Sequence, residues 1–444
     1  MVRFIMTEKK LDEYYKHFNY NDRRPVYVDS NKLRDDQLDR LIKSDVFCML
    51  PWIHLHAFPN GQAYPCCLGN DKHPIGHLHY NTIEEVWNDT PYKTMRTNML
   101  EEKPCKECTK CYEQEQSGFV SMRNSSNKNF GHLIPIVDET KPDGAFEDFK
   151  LRYYDIRFTN LCNMSCRTCG GWFSSSWYQE ETELFGQRNY PPIMYAGRTE
   201  TDMWEQMVPH IPYLEQIYFA GGEPLIMEEH YRILKELVNR EMFGVRLQYN
   251  TNFSRLNLKN ENVLDYWKKF HSVSVGASLD AMGPRAEYIR KGTKWDQIVR
   301  NREQMLEITP RTDFYVSSTV SIYNILHVMD FHKDWVERGL IKPGDWNINI
   351  LQGPERDRID VLPAYYKDQV REKIKEHIYW LGTKDSLKRA TSGYKAILNF
   401  LDQEDNSHLL KEFFEVNDKL DTYRREKFET VFPEYADLRT YVTT

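Results

Sequence analysis

Three cysteines, Cys162, Cys166 and Cys169, stand in the pattern CxxxCxxC directly after a strand-like run, in YYDIRFTNLCNMSCRTCGG. Thiolates are natural ligands of iron–sulfur clusters, and this spacing lets one short loop wrap a single cubane. Three protein ligands leave one iron open, which suits a cluster that reacts rather than one that only stores an electron. The competing chemistry is a zinc knuckle, whose short-loop sites usually pair two CxxC units. It would need a distant fourth ligand, and no cysteine follows Cys169.

A second set lies upstream: Cys48, Cys66, Cys67, Cys105, Cys108 and Cys111. All nine cysteines therefore fall between positions 48 and 169, in two groups that read as metal sites rather than disulfides in a reducing compartment. Six cysteines can fully ligate one four-thiolate cluster. Zinc suits four cysteines in two pairs equally well, with His54, His56, His73, His77 and His79 close by in sequence.

The elements that would position these groups follow from pattern. Residues 1–46 are polar with scattered aromatics and read as a helical lead-in. Residues 47–140 are rich in Cys, His, Pro and Gly around one helical stretch, TIEEVWNDTPYKTMRTNML, and KPDG at Lys141–Gly144 reads as a linker turn. From residue 145 to 354 six apolar or β-branched runs, YYDIRF, QIYFAG, VRLQYN, SVSVGAS, FYVSSTV and WNINIL, alternate with helical patterns. Such alternation implies right-handed βα units in a parallel sheet with ligands at the carboxyl ends of the strands, as an open sheet or a partial barrel. Residues 355–444 read as helical, with Phe413, Val416, Leu420 and Tyr423 forming a packing stripe.

Several strand ends carry suitable chemistry. The second run closes on Gly221, Gly222, Glu223 and Pro224, where glycines admit a ligand against the backbone and proline ends the ladder; an ordinary tight turn is the plain alternative. The third closes on Asn250, Thr251 and Asn252, the fourth on Ser278, Leu279 and Asp280. Small hydroxyls and amides suit a ribose and a carboxylate, while a turn at 250–252 and a helix cap at Asp280 are the bland readings. Arg290 could fork onto a carboxylate or end a helix in solvent. Asn349 and Leu351 on the sixth run are placed towards the cavity by geometry alone.

Composition excludes other classes. With 444 residues, 40% of them hydrophobic, the chain holds more than one core, and a formal charge of -7 gives no global reason to expect nucleic acid or an anionic membrane as partner. No run of about 18 apolar residues and no signal-peptide core is present, so the cytoplasm is the expected location and a membrane is not an expected partner.

At the residues quoted, the chain resembles the radical S-adenosylmethionine superfamily, whose signature is this cysteine triad after the first strand of a partial (β/α)6 barrel. The segments CMLPWIHLHAFPNGQAYPCC and PCKECTKCYEQEQSG resemble the SPASM and twitch domains, which carry auxiliary clusters and usually follow the barrel; here the domain precedes it. The resemblance covers about residues 47–118 and 150–350. It implies a catalytic [4Fe-4S] cluster on Cys162, Cys166 and Cys169, with S-adenosylmethionine cleaved there to a 5′-deoxyadenosyl radical that abstracts hydrogen. It further implies that Gly221–Pro224 hold the methionine amino group, and that Thr251 and Ser278 line the cofactor, with Asn250, Asn252, Asp280 and Arg290 as weaker candidates. Thr168 stands where an aromatic usually lies beside the adenine, leaving the backbone there to make that contact. One auxiliary [4Fe-4S] cluster is implied on Cys48 and Cys66 with Cys108 and Cys111; Cys105 could replace either of the last two, and Cys67 packs. An external flavodoxin or ferredoxin would supply electrons. A peptide or protein is the first expected substrate, a nucleoside or other small metabolite the second. A non-catalytic electron carrier or zinc-stabilised binding module is the alternative from another class.

Overall fold

A computed structural model describes residues 33–116 and 120–442. The expected lead-in lies outside the described residues as far as position 32; beyond it, Asp35–Lys43 is a helix that buries Gln37, Leu38 and Leu41 on one face. Asp35 and Asp36 in its first turn and Arg40 and Lys43 in its last complement the helix dipole.

The described chain forms two compact units. The first is Met1–Thr159 with Tyr195–Tyr218, the second Asn160–Met194 with Phe219–Thr444. In the first unit a hairpin of β1 (His54–Ala57) and β2 (Gln62–Tyr64) continues antiparallel to β3 (Gly76–His77). On its other side β1 runs parallel to β4 (Tyr153–Ile156), His54 opposite Tyr153 and His56 opposite Asp155. Every residue of β1 and of β4 is buried, as expected of short parallel strands covered on both faces. β4 in turn pairs with β5 (Gln216–Phe219).

The single helical stretch expected after β3 is two helices, Ile83–Trp87 and Thr90–Leu100. Thr82 and Glu85 form a capping box at the first. Asp89 starts the second by accepting from the Thr90 amide at 2.7 Å, and Pro91 in the first turn lacks the amide a continuous helix would need.

The second unit carries four parallel strands, β6 (Arg246–Thr251), β7 (Val273–Ala277), β8 (Asp313–Val320) and β9 (Trp346–Ile350), paired in that order. Helices Glu228–Asn239, Trp295–Ile308 and Val328–Glu337 fall between strands of the run β4–β9, so all six expected strands are present in the (β/α)6 succession of a partial barrel. Ala364–Leu381, Arg389–Leu401 and Leu410–Arg424 make the C-terminal region helical. The last of these corrects the expected stripe. Phe413 and Leu420 are buried, but Tyr423 is 38% exposed, and the buried face continues instead through Asn417, Asp421 and Arg424. The face is rotated because those three polar side chains have buried partners, described below.

KPDG does form a turn, the Gly144 amide donating to the Lys141 carbonyl at 2.8 Å. Gly144 has φ +85°, and a Cβ there would stand 2.1 Å from the Lys93 carbonyl. Gly144→Ala is expected to cost at least about 2 kcal/mol through strain plus overlap, read as a lowered midpoint in chemical denaturation.

Candidate active site and auxiliary cysteine cavity

The CxxxCxxC loop lies in the second unit, where its backbone is tied down nearly residue by residue. The Leu161 carbonyl accepts from the Glu223 amide at 2.8 Å. Ser175 Oγ accepts from the Cys162 amide at 3.2 Å, while Ser176 Oγ donates to the Cys162 carbonyl at 2.7 Å. Ser174 Oγ donates to the Met164 carbonyl at 2.6 Å, and Trp177 Nε1 to the Cys166 carbonyl at 2.9 Å. Ser165–Cys166 pairs antiparallel with Arg290–Lys291, and the Arg167 amide donates to the Ile289 carbonyl at 2.8 Å. The Asn163 side chain bridges Ser254 and Asn252 at 3.0 and 2.9 Å.

The three thiols make only long contacts, Cys169 Sγ to the Gly170 carbonyl at 3.7 Å and Cys166 Sγ to Arg290 Nη1 at 3.8 Å. All are free and half-buried, and the desolvation of each raises its pKa, to about 12 at Cys162 and Cys169. Three thiols on one short, anchored loop can serve together as thiolate ligands once a metal group is bound. This donor set fits a three-thiolate iron–sulfur cluster. Thr168 is half-buried beside them.

The strand-end residues are arranged as a supporting shell. Glu223 is fully buried: Oε1 accepts from the Leu225 amide at 3.0 Å and from Thr251 Oγ1 at 2.6 Å, and Oε2 from the Asn252 amide at 2.6 Å. Burial pushes its pKa up to about 7 against those donors. Pro224 is buried and opens the short helical turn Pro224–Ile226. Gly222 has a different reason from the one expected: a Cβ there would stand 2.1 Å from the Leu161 carbonyl, so the glycine admits the cysteine loop's own backbone. Gly221 takes φ +123°, closed to other residues without strain.

Asn250 approaches Gly276, with Oδ1 at 2.7 Å from a Cβ built there, and the Ser278 amide donates to the Thr251 carbonyl at 2.7 Å. Asp280 is buried and is engaged by Arg290 Nε at 2.7 Å and by the Thr319 amide at 2.9 Å. Arg290 thus lies inside the unit rather than in solvent, its Nη1 3.8 Å from Cys166 Sγ. Asn349 donates to Ser317 Oγ at 3.0 Å, and Leu351 is buried.

In the first unit one pocket is lined by Cys48, Cys66, Cys108 and Cys111, with Glu107, Arg123 and apolar side chains. Cys105 is not on its wall; its Sγ faces the Met95 carbonyl at 3.7 Å. Cys67 also lies elsewhere. Burial and the neighbouring Asp155 raise its thiol. Burial alone would raise Asp155 too, but Arg157, with Nε at 2.9 Å, and His56 hold that carboxyl well below the usual range. Four thiols lining one pocket match the donor set of a four-thiolate cluster. Among the described residues, no three His, Cys, Asp or Glu side chains converge on a single-ion site.

Two family models match the chain. The model of the radical SAM superfamily matches residues 156–325, and that of the SPASM iron–sulfur cluster-binding domain matches residues 48–112. The chain carries a radical SAM domain, preceded by a SPASM domain. A 7,8-dihydro-6-hydroxymethylpterin dimethyltransferase from Methanocaldococcus jannaschii is 23% identical over 221 residues, 49% of this chain and 37% of that protein. Among solved structures, anSMEcpe with bound AdoMet is 17% identical with a TM-score of 0.35, covering 50% of this chain and 58% of that one. TYW1 with a lysine-pyruvate adduct is 16% identical with a TM-score of 0.26, covering 49% and 69%. The chain therefore spans about a third of the curated relative and under two thirds of anSMEcpe.

Reading the sequence for superfamily motifs found the strand ends but missed the loop's anchors. Arg167 sits inside the signature itself, and the run SSSW at Ser174–Trp177 follows it by five residues. A charged residue placed between cluster-ligand candidates was the available signal at the first. Serines that cap backbone groups give no pattern distinct from any polar loop. Among the described residues, no helix is long and apolar enough to cross a membrane.

Gly222→Ala is expected to disrupt the docking of the cysteine loop on the second strand end. Hydrogen exchange over residues 160–170 should quicken in the variant; exchange equal to that of the unaltered chain would contradict this role for Gly222.

Proposed function

We propose that the chain is a radical SAM enzyme that abstracts hydrogen from a peptide or protein substrate. Cys162, Cys166 and Cys169 would hold a [4Fe-4S] cluster, which would supply the one electron that splits S-adenosylmethionine into methionine and a 5′-deoxyadenosyl radical. The observation that carries the reading is the loop itself: its backbone groups are engaged outward, and its three thiols are left together without partners in disulfides.

The chain's own residues supply position rather than acid–base chemistry. Cys162, Cys166 and Cys169 would hold the catalytic cluster. Arg290, fixed by Asp280, presents a guanidinium N–H to Cys166 Sγ, and hydrogen bonds to cluster sulfurs raise reduction potential. Glu223 is spent on Leu225, Thr251 and Asn252 and so orients the third strand end instead of serving as a base. Gly221, Thr251, Asn252 and Ser278 would line S-adenosylmethionine, with the Thr168 backbone beside the adenine.

Cys48, Cys66, Cys108 and Cys111 would hold one auxiliary [4Fe-4S] cluster, which binds substrate or takes the electron left on the product. A flavodoxin or ferredoxin in the cytoplasm would deliver electrons. The peptide reading rests on the SPASM match, since such domains accompany peptide and protein modification. A small-molecule substrate is the second reading, because the matched Methanocaldococcus jannaschii relative is named for a pterin.

Anaerobic reconstitution should give about eight irons per chain, and dithionite with S-adenosylmethionine should release 5′-deoxyadenosine. Replacing Cys162, Cys166 and Cys169 by alanine should abolish that release while keeping about four irons and their absorbance. Cys105→Ser should retain all eight within error. Bound zinc, or iron without cofactor cleavage, would sink the reading.

A further inference from the structure

Beside the cysteine loop, in the same compact unit, lies a charge network centred on the buried Arg167. Arg167 is 2% exposed. Its Nη1 donates to Asn417 Oδ1 at 2.5 Å, and its Nη2 donates to Asp421 Oδ1 at 2.5 Å and to Glu426 Oε2 at 2.8 Å. Its guanidinium lies 3.6 Å from the centroid of Tyr288, whose hydroxyl donates to Asp421 at 2.8 Å. Arg424 forks onto the buried Glu180 at 2.5 and 3.0 Å, donates to the Ser165 carbonyl at 2.8 Å, and lies over Trp177.

The end of the Leu410–Arg424 helix explains how these partners meet. Arg425 takes the left-handed conformation, φ +56°, and the Glu426 amide turns back to the Asp421 carbonyl at 2.9 Å. That turn puts Glu426 beside Asp421, on Arg167 and on Lys291, whose Nζ is 2.6 Å away. Asp421 Oδ2 meanwhile accepts from the Phe428 amide at 2.7 Å, so the carboxylate has no unspent oxygen.

Packing alone does not account for this. Buried ion pairs are at best near neutral in stability against apolar side chains of similar volume, and what they add is direction. Here several contacts meet on residues 165–167: Arg424 on Ser165, Trp177 on Cys166, Asn417, Asp421 and Glu426 on Arg167, and Lys291 opposite Ser165 in the short ladder.

We propose that the C-terminal helix Leu410–Arg424 and its closing turn are a clamp that fixes Cys166 for the cluster, with Arg167, Asp421 and Arg424 as positioning residues. The proposal rests on the reading that this loop holds the catalytic cluster. The clamp touches the Ser165 carbonyl of the loop and the side chain of Arg167, the residue next to Cys166.

The test uses the full chain after anaerobic reconstitution, as Asp421→Ala, Asp421→Glu and Arg424→Lys. Hydrogen exchange over residues 160–176 should quicken at least about tenfold in Asp421→Ala and in Arg424→Lys, with exchange in residues 48–112 unchanged. The electron paramagnetic resonance signal of the reduced catalytic cluster should lose its response to S-adenosylmethionine in Asp421→Ala and recover it in Asp421→Glu. Should Asp421→Ala not fold, Arg424→Lys, which keeps the charge and loses the fork, carries the same readouts. Loop exchange and cluster signal equal to those of the unaltered chain would overturn the clamp, as would a uniform rise in exchange across the whole unit. Loop exchange reports on the clamp whether or not S-adenosylmethionine is cleaved, whereas cleavage by the unaltered chain reports on the proposed function.

Discussion

A guanidinium taken out of water must find its partners inside the protein, and Arg167 imposes that requirement next to the three thiols. Removing one partner from such a buried pair costs about 3–5 kcal/mol, because the other charge is left uncompensated. The requirement is met from far along the chain, by Asn417, Asp421 and Glu426. The rest of the second unit can be understood from it. The last helix turns a polar face inward, Tyr288 gives its ring to the guanidinium and its hydroxyl to Asp421, and the cysteine loop acquires a rigid back wall.

The front of the loop follows a different rule. Gly222 gives up its side chain so that the Leu161 carbonyl can approach, and Glu223 gives up its carboxylate to the third strand end. Both residues belong to a motif that reads in sequence as a ligand cradle. In the structure the same residues join the strand ends to the loop. The cavity of the first unit repeats the theme on a smaller scale: Cys66 lines it, while its neighbour Cys67 is drawn to Asp155.

What could be read from the sequence was what is local and periodic. Six strand-like runs and the cysteine triad are short-range patterns, and all six strands form where the alternation placed them. Cys48, Cys66, Cys108 and Cys111, the set the resemblance implies, line one pocket, and Cys105, which could replace either of the last two, does not line it. What escaped was long-range. Helical spacing put Tyr423 on the packing face, because apolar periodicity cannot know that Arg424 and Asp421 have buried partners some 250 residues upstream. The break at Asp89 was missed for a simpler reason, since an N-cap followed by proline was read through as part of one longer helix.

The central claim is that three thiolates hold a cluster whose fourth iron takes S-adenosylmethionine. Electron–nuclear double resonance on the reduced protein with S-adenosylmethionine labelled by 15N at the amino group and 17O at the carboxylate tests it directly. Hyperfine coupling from both labels, absent when Cys162, Cys166 and Cys169 are replaced, is the predicted result. A reduced cluster that shows no coupling to either label would contradict the account.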